Sequence, residues 1–444
     1  MTTLKSQHYD FAASLVAMHF GIQKNDFTIE DMEKAKNNHV YLIHLEQPLA
    51  ELGRTKTGVL KPYTSVIPVG TSKMVLRISK NNVNLENSVR IRNEVAFLAL
   101  ARDALSAIDA SVIPRVFGWE DKRWEDRTST DPLSLSWILE EFMEGDSLSP
   151  DEILALDHDT RKSLLYQIAQ VVKAFQDYQL PKAVSMYGGL KFDEQGEIVN
   201  TISTLPCGGP FQTYPQFVRG MCIWQLKMSD RSAYLNGWRD IPGLRERLDD
   251  FFTRGLGRLL DEIPEQRPTL IHADLCMSNL LFNRRSNRLS AVLDFDFAHI
   301  GAPISEYLFS FWDLDGLLPG SSDPNDPLRK YILKGFPFAE EEEGVEDKWK
   351  LARAWENALS DVGAKKPSTI DKAGDIADIW WFSQDLCEAY WFIDTFLEKR
   401  TPEKLEEFKA ASASNLERYL AHWGFYSPPE IGIGLLFYSK QSYL

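Results

Sequence analysis

Thr269 to Ala298 reads TLIHADLCMSNLLFNRRSNRLSAVLDFDFA. An apolar run leads into His272-Ala273-Asp274, a polar turn brings in Asn279, and a second apolar run ends on Asp294. Leu280-Leu281-Phe282 and Leu289 to Leu293 flank Arg284-Arg285-Ser286-Asn287, the pattern of a β-hairpin. Since a hairpin brings its two ends together, Asn279 and Asp294 should meet at its base. His272, Asp274, Asn279 and Asp294 then stand on strand ends and one loop, where a merely solvated face would not gather them.

The order of these residues has a chemical reading. His272, Asp274 and Asn279 follow H-x-D-x-x-x-x-N, the order of a kinase catalytic loop, and Asp294 comes where kinases carry the aspartate of D-F-G. Phosphoryl transfer needs a carboxylate for the acceptor's proton and oxygen ligands for the magnesium on the ATP phosphates. Asp274 suits the first task, and Asn279 with Asp294 the second. Magnesium takes hard oxygen ligands and usually only one or two carboxylates beside substrate phosphates, which one Asp and one Asn amide oxygen match.

The stretch resembles the aminoglycoside phosphotransferase and choline kinase family, whose pattern is close to H-G-D-x-x-x-x-N-hydrophobic followed by I-D-W-E-x-A. Here the chain has HADLCMSNLL and LDFDFA, then Gly301-Ala302-Pro303 and Glu306 in place of the family's usual G-D-P and Asp. The overall pattern is most similar to the family's fungal members. The resemblance implies Asp274 as catalytic base, His272 as support of the loop, and Asn279 and Asp294 as metal ligands. Ala273 replaces a glycine and is expected to need only an ordinary backbone conformation, while Glu306 leaves open how the loop is braced from behind.

At 444 residues and 44% hydrophobic content, the chain can fill sizeable cores. Its formal charge of -15 disfavours nucleic acid and anionic membrane surfaces and favours cationic ligands. Cys207, Cys222, Cys276 and Cys387 are widely spaced with no metal-ligand rhythm, which suits a reducing, cytoplasmic setting. No apolar run is long enough to cross a bilayer. Phe11, Leu15 and Met18 fall at helical spacing, so the N-terminus should form an amphipathic helix lying on the first lobe.

Val40 to Leu45 and Met74 to Ile78 read as strands, separated by a long loop over Glu51 to Thr71. Kinases keep a basic residue on the third strand for the nucleotide phosphates, paired to a Glu on the next helix. Arg77 stands where the resembling family places Lys or Arg, and Glu94, on a helix over Arg90 to Leu105, is positioned as its partner. No G-x-G-x-x-G is present, which argues against a protein kinase. The family's phosphate turn lands on Lys34 to Tyr41, without its glycines; there Asn38 could donate to phosphate or simply serve a tight turn. Trp137 to Gly145 resembles the strand and hinge joining the lobes, with Glu141 and Met143 beside the nucleotide base through backbone groups; a buried strand entering a Gly turn is the other reading.

From Ser149 the pattern turns helical, over Asp151 to Leu156 and Asp159 to Tyr178, interrupted by a hairpin that turns at Gln195-Gly196. Later come helices over Trp349 to Ser360, Gly374 to Glu398 and Leu405 to His422, and the acidic run Glu340 to Glu343, a solvated surface. Along Gly374 to Glu398, Trp381, Asp385, Glu388 and Phe392 share one face, which is either partly packed with a wet rim or a substrate wall. Asp313 and Asp315, just after the catalytic hairpin, add acids that the resemblance places near the acceptor. Aromatic and carboxylate groups together suit an amine-bearing acceptor.

The expectation is an α+β, bilobed, protein-kinase-like fold with a small β-rich N-lobe over 1–143 and a larger, mainly helical C-lobe over 144–444. Its expected activity is ATP- and Mg2+-dependent phosphorylation of a hydroxyl on a small metabolite, with no nucleic acid or membrane partner. Two alternatives use the same residues: activation of a carboxylate as an acyl phosphate, and a nucleotide-binding pseudokinase scaffold. A non-enzymatic interaction protein is the third.

Overall fold

The computed structural model describes residues 2–32, 37–53, 61–80, 82, 84–121, 135–321, 327–336 and 349–426. Lys34 to Lys36, residues 54–60 of the insertion, the acidic run Glu340 to Glu343 and the tail from Ser427 lie outside them. The observed class is α+β, as expected. Its sheet is built from β1 (Phe27–Asp31), β2 (Asn38–Leu45), β3 (Lys73–Ser79), β4 (Val116–Glu120) and β5 (Trp137–Glu141). Five strands run in the order β1-β2-β3-β5-β4, antiparallel throughout.

Side chains alternate between the two faces of a strand, and here the alternation separates core from site. Met74, Leu76 and Ile78 of β3 join Tyr41, Ile43 and Leu45 of β2 and Trp137 and Leu139 of β5 in one apolar cluster. The helix Thr2–Leu15 closes that cluster with Phe11, Ala12 and Leu15. Met18 does not join it, being 49% exposed, and Phe20 is buried instead. The cause is local: Val16–Phe20 wind as a wider π-turn, which shifts the phase of the apolar stripe beyond Leu15. The other face carries Asn38, Arg77 and Glu140, all buried and polar.

Two compact units make up the chain. The first, Met1–Met221 with Pro264–Trp380, holds the sheet, the helices Arg90–Ala104, Pro150–Ala155 and His158–Asp177, and three small antiparallel pairs. These are β6 (Gly189–Phe192) with β7 (Ile198–Thr201), β8 (Thr269–Ile271) with β11 (His299–Gly301), and β9 (Leu280–Asn283) with β10 (Arg288–Val292). The expected hairpins at Gly196 and at Arg284 to Asn287 are therefore both present. The second unit, Cys222–Ile263 with Trp381–Leu444, packs around Phe251, whose ring lies 5.0 Å from both Phe382 and Trp423.

One expected helix is shorter than its sequence suggests. Ala373–Leu386 stops before Glu388, whose backbone is extended (φ -65, ψ 149), and a short turn follows over Ala389–Phe392. The single face proposed for Trp381, Asp385, Glu388 and Phe392 therefore does not exist as one helical stripe. No proline or glycine marks the break. Tertiary packing sets it: Trp391 is buried, and Tyr390 stacks on Phe396 at 4.5 Å. All four cysteines are free thiols. Among the described residues, no helix is long and apolar enough to cross a membrane.

Candidate active site

The loop from β8 to β9 is fixed from behind by the helix Pro303–Phe309 and the turn after it. Glu306, 4% exposed, accepts the backbone N–H of His272 at 2.8 Å on one carboxylate oxygen and that of Ala273 at 3.0 Å on the other. Ser310 Oγ donates to the same carboxylate at 2.5 Å and accepts from Leu275 N at 2.8 Å. Burial pushes the Glu306 carboxyl up, while these donors pull it down. The bracing left open by the sequence is thus supplied by Glu306. Ala273 departs from the expectation of ordinary backbone: its φ is +62, the left-handed region in which a glycine is free of strain. Two consecutive N–H groups turned onto one carboxylate account for that conformation.

Asp313 braces the second half of the loop. Its Oδ2 accepts from Met277 N at 2.6 Å, while its Oδ1, also buried, has no hydrogen-bond partner among the described residues. Phe311 N donates to Leu275 O at 3.1 Å, so residues 310 to 313 run beside 275 to 277.

His272 is fully buried and ties the loop to the next strand. Its Nε2–H donates to Leu293 O at 3.0 Å, and its Nδ1 accepts from Asp274 N at 3.3 Å, which fixes the tautomer. Burial pushes the imidazole down to about 4. Asn279 donates Nδ2 to Asp274 Oδ2 at 2.9 Å and to Asp274 O at 2.8 Å, leaving Oδ1 as the amide's other face. Leu293 N donates to Asn279 O at 2.8 Å, and the next residue is Asp294, held at φ +64. The hairpin β9–β10 thus brings Asn279 and Asp294 together.

Across from them, Arg77 pairs with Glu94 on the helix Arg90–Ala104 and donates to Asp294 Oδ1 at 2.9 Å. Asp296 is wholly buried and held by Arg90 at 2.7 and 2.5 Å and by Asn38 Nδ2 at 3.0 Å. Burial raises the Asp296 carboxyl, but Arg90, Arg77 and Asn38 outweigh it and hold the group low. Asp294 keeps 34% of its side chain open to solvent, and burial raises its carboxyl against the pull of Arg77. Burial likewise raises Glu94 and pushes Glu140 up to about 7.

The arithmetic of this cluster favours a cation. Fully ionised, the four carboxyls Glu94, Glu140, Asp294 and Asp296 exceed the two guanidiniums of Arg77 and Arg90 by two charges, and burial raises three of the four against that excess. Glu94, Asp294 and Asp296 bring one oxygen each within 4.8 Å of one another. A divalent ion would balance the excess, and hard oxygen donors are the set that magnesium takes.

The remaining expected residues are placed as follows. Asn38, 4% exposed, spends its amide on Asp296 and on Arg90 Nη2 at 3.0 Å. Glu141 forms a bidentate pair with Arg115 at 2.9 and 2.6 Å. Met143 is half-buried on the connector from β5, whose Glu144 O accepts from Ser290 Oγ at 2.6 Å and whose Asp146 exchanges backbone hydrogen bonds with Phe282 at 3.1 and 2.9 Å. Trp381, Asp385 and Glu388 belong to the second unit, where Asp385 accepts from Asn415 at 3.0 Å and Glu388 from Tyr390 at 3.4 Å. Sequence reasoning missed Asp296, Arg90 and Glu140. The second acid of Leu293-Asp294-Phe295-Asp296 was the available signal for the first.

The model of a family described as the phosphotransferase enzyme family matches residues 65–321. No curated protein matches the chain. Among solved structures, the streptomycin–ATP–APH(2'')-IIa ternary complex is similar at 14% identity over 91% of this chain and 97% of that one, with a TM-score of 0.49. Plasmodium vivax ethanolamine kinase is similar at 12% identity over 93% of this chain and 87% of that one, with a TM-score of 0.46. ADP-bound aminoglycoside phosphotransferase APH(2'')-Ib is similar at 14% identity over 88% and 94%, with a TM-score of 0.43. By the family match, which spans β3, β4 and β5 of the sheet, the loop from β8 to β9 and the hairpin β9–β10, the chain belongs to the phosphotransferase enzyme family.

Proposed function

We propose that this chain transfers the γ-phosphoryl group of ATP to a hydroxyl of a small metabolite, with magnesium as the metal. The observation that carries the reading is one connected set of contacts: Asp274 to Asn279 at 2.9 Å, Asn279 through Leu293 to Asp294, and Asp294 through Arg77 to Glu94. Asp274 takes or orients the acceptor's proton. Asn279, through its Oδ1, and Asp294 are the metal ligands; the ion, when bound, neutralises charge on the phosphates. Arg77, held by Glu94, serves the phosphates, and Asn38 stiffens the adjoining strand end through Asp296. Glu141 and Met143 flank the base, residues 1–143 act as the nucleotide lobe and 144–444 as the catalytic lobe.

The acceptor in this reading bears an amine. Asp313 is its proposed contact, supported by a carboxyl that burial raises and that a cationic partner would restore to the ionised form. A cytoplasmic setting completes the reading. The test is mass spectrometry of a metabolite extract incubated with protein, ATP and magnesium. A new phosphorylated amine supports the proposal, hydroxylamine-trappable product points to an acyl phosphate, and ATP binding without any product rejects catalysis.

A further inference from the structure

We propose that Glu140 reads the 6-position of the nucleotide's purine and selects a 6-amino base over a 6-oxo base; this deepens the nucleotide reading above and rests on it. Three observations converge on this residue. Glu140 is 6% exposed, and its Oε2 is buried without a hydrogen-bond partner among the described residues. It lies on the face of the sheet that carries Arg77: β5 pairs Ile138 with Arg77 and Glu140 with Val75, so Glu140 is displaced by two residues, about 7 Å, along β3 from the phosphate-binding arginine. It is also the last residue on that face before the chain leaves β5 for the connector that crosses to Phe282.

A triphosphate held by Arg77 and the hairpin puts its base further along the same face, towards the connector. There the chemistry discriminates. The 6-amino group of adenine donates, and a donor is what an unpartnered carboxylate oxygen lacks; donation also favours the ionised carboxylate. The 6-oxo group of guanine or hypoxanthine offers only lone pairs, which a carboxylate repels. A site built to hydrogen-bond one group rejects an analogue lacking it far more strongly than an apolar pocket does.

The experiment measures binding of the magnesium complexes of ATP, purine riboside triphosphate, ITP and GTP to the full chain by calorimetry at pH 8.5, where the Glu140 carboxyl is ionised and can only accept. The wild type should bind ATP about 100-fold tighter than ITP, the scale of one hydrogen bond to a charged group, with purine riboside triphosphate between them. Glu140→Gln, whose amide can donate or accept, should bring ATP and ITP to within about fivefold, a narrowing that amide chemistry predicts. Its melting curve checks that it folds; should it not fold, the rank order in the wild type decides. Equal affinity for ATP and ITP in the wild type, or an undiminished preference in a folded Glu140→Gln protein, overturns the assignment while leaving the nucleotide site standing. Failure to bind any of the four triphosphates overturns the nucleotide reading itself.

Discussion

The Nε2–H of His272 donates to the carbonyl of Leu293 at 3.0 Å, which joins the loop from β8 to β9 to the strand end that presents Asp294. Burial holds the ring neutral down to about pH 4, so it acts as a fixed strut and not as a titrating base. His272→Ala should lower the melting temperature and cut turnover by at least about tenfold, because Asp274 and Asp294 lose their common reference. The linkage has a definite sign. A folded-state pKa below the unfolded value means that the unfolded chain binds the extra proton, so stability falls as pH drops from about 6.5 towards about 4. His299 is depressed in the same way, and His299→Phe should flatten that fall in melting curves. A steeper acid slope in that variant would contradict the sign.

Glu306 accepts three hydrogen bonds inside the core. Glu306→Ala strands the N–H groups of His272 and Ala273, at roughly 1 to 3 kcal/mol each. A loss of several kcal/mol in denaturant unfolding is expected, together with loss of turnover. Ala273→Gly should be near neutral, because relief at φ +62 and the added freedom of the unfolded chain are each about 1 kcal/mol and oppose. A drop as large as that of Glu306→Ala would show that the left-handed backbone is not the strain it is taken to be.

Much of this site was legible because its chemistry is local in sequence. His272, Asp274, Asn279 and Asp294 fall within one stretch, and the alternation of β3 puts Arg77 opposite Met74, Leu76 and Ile78. What was not legible depends on partners far along the chain. Asp296 meets Arg90 across 206 positions, and Glu306 meets His272 across 34. Ala273 looked ordinary because an alanine does not itself mark positive φ, although the glycine it replaces in the family's pattern was the available signal, and the helix break at Glu388 came from aromatic packing that propensity does not encode.

Asp274 and Asp294 should separate cleanly in binding and turnover. Asp274→Asn keeps the shape and the nucleotide contacts, so ATP affinity should stay within a few fold while turnover falls by several orders of magnitude, the pattern of a group used in the transition state. Asp294→Ala should instead weaken nucleotide binding in magnesium and change metal-free binding little. Isothermal titration with and without the metal reads both, and an Asp294→Ala protein whose magnesium dependence is intact would remove that ligand from the site.

Gly145 carries the connector over the hairpin that holds the proposed metal ligands. Its φ is +142, and a Cβ there would lie 2.4 Å from Ser290 Oγ and 3.0 Å from Leu281 Cβ. Gly145→Ala should therefore lift the connector from the hairpin, break the Ser290 to Glu144 contact and weaken nucleotide binding by about tenfold, the equivalent of roughly 1.4 kcal/mol. Adding Ser290→Ala removes the shorter clash and should recover part of the loss. If the double variant binds no better than the single one, the connector and the hairpin are not coupled through this contact.

Asp385 is 7% exposed, and burial pushes its carboxyl up to about 7, with Glu388 adding to the rise and Asn415 opposing it. A raised folded-state value means that ionisation is harder in the folded protein than in the unfolded chain. The stability tied to the protonated group is thus fully present below the unfolded value of about 4 and is lost as pH rises through about 7. Asp385→Asn keeps the shape without the charge, so it should stabilise the protein at pH 8 by up to about 4 kcal/mol and leave it unchanged near pH 4. Melting curves across that range decide it, and a gain that grows on acidification would reverse the argument. A buried acid kept at such a cost suits a ligand-binding role, since sites are often retained at the expense of stability.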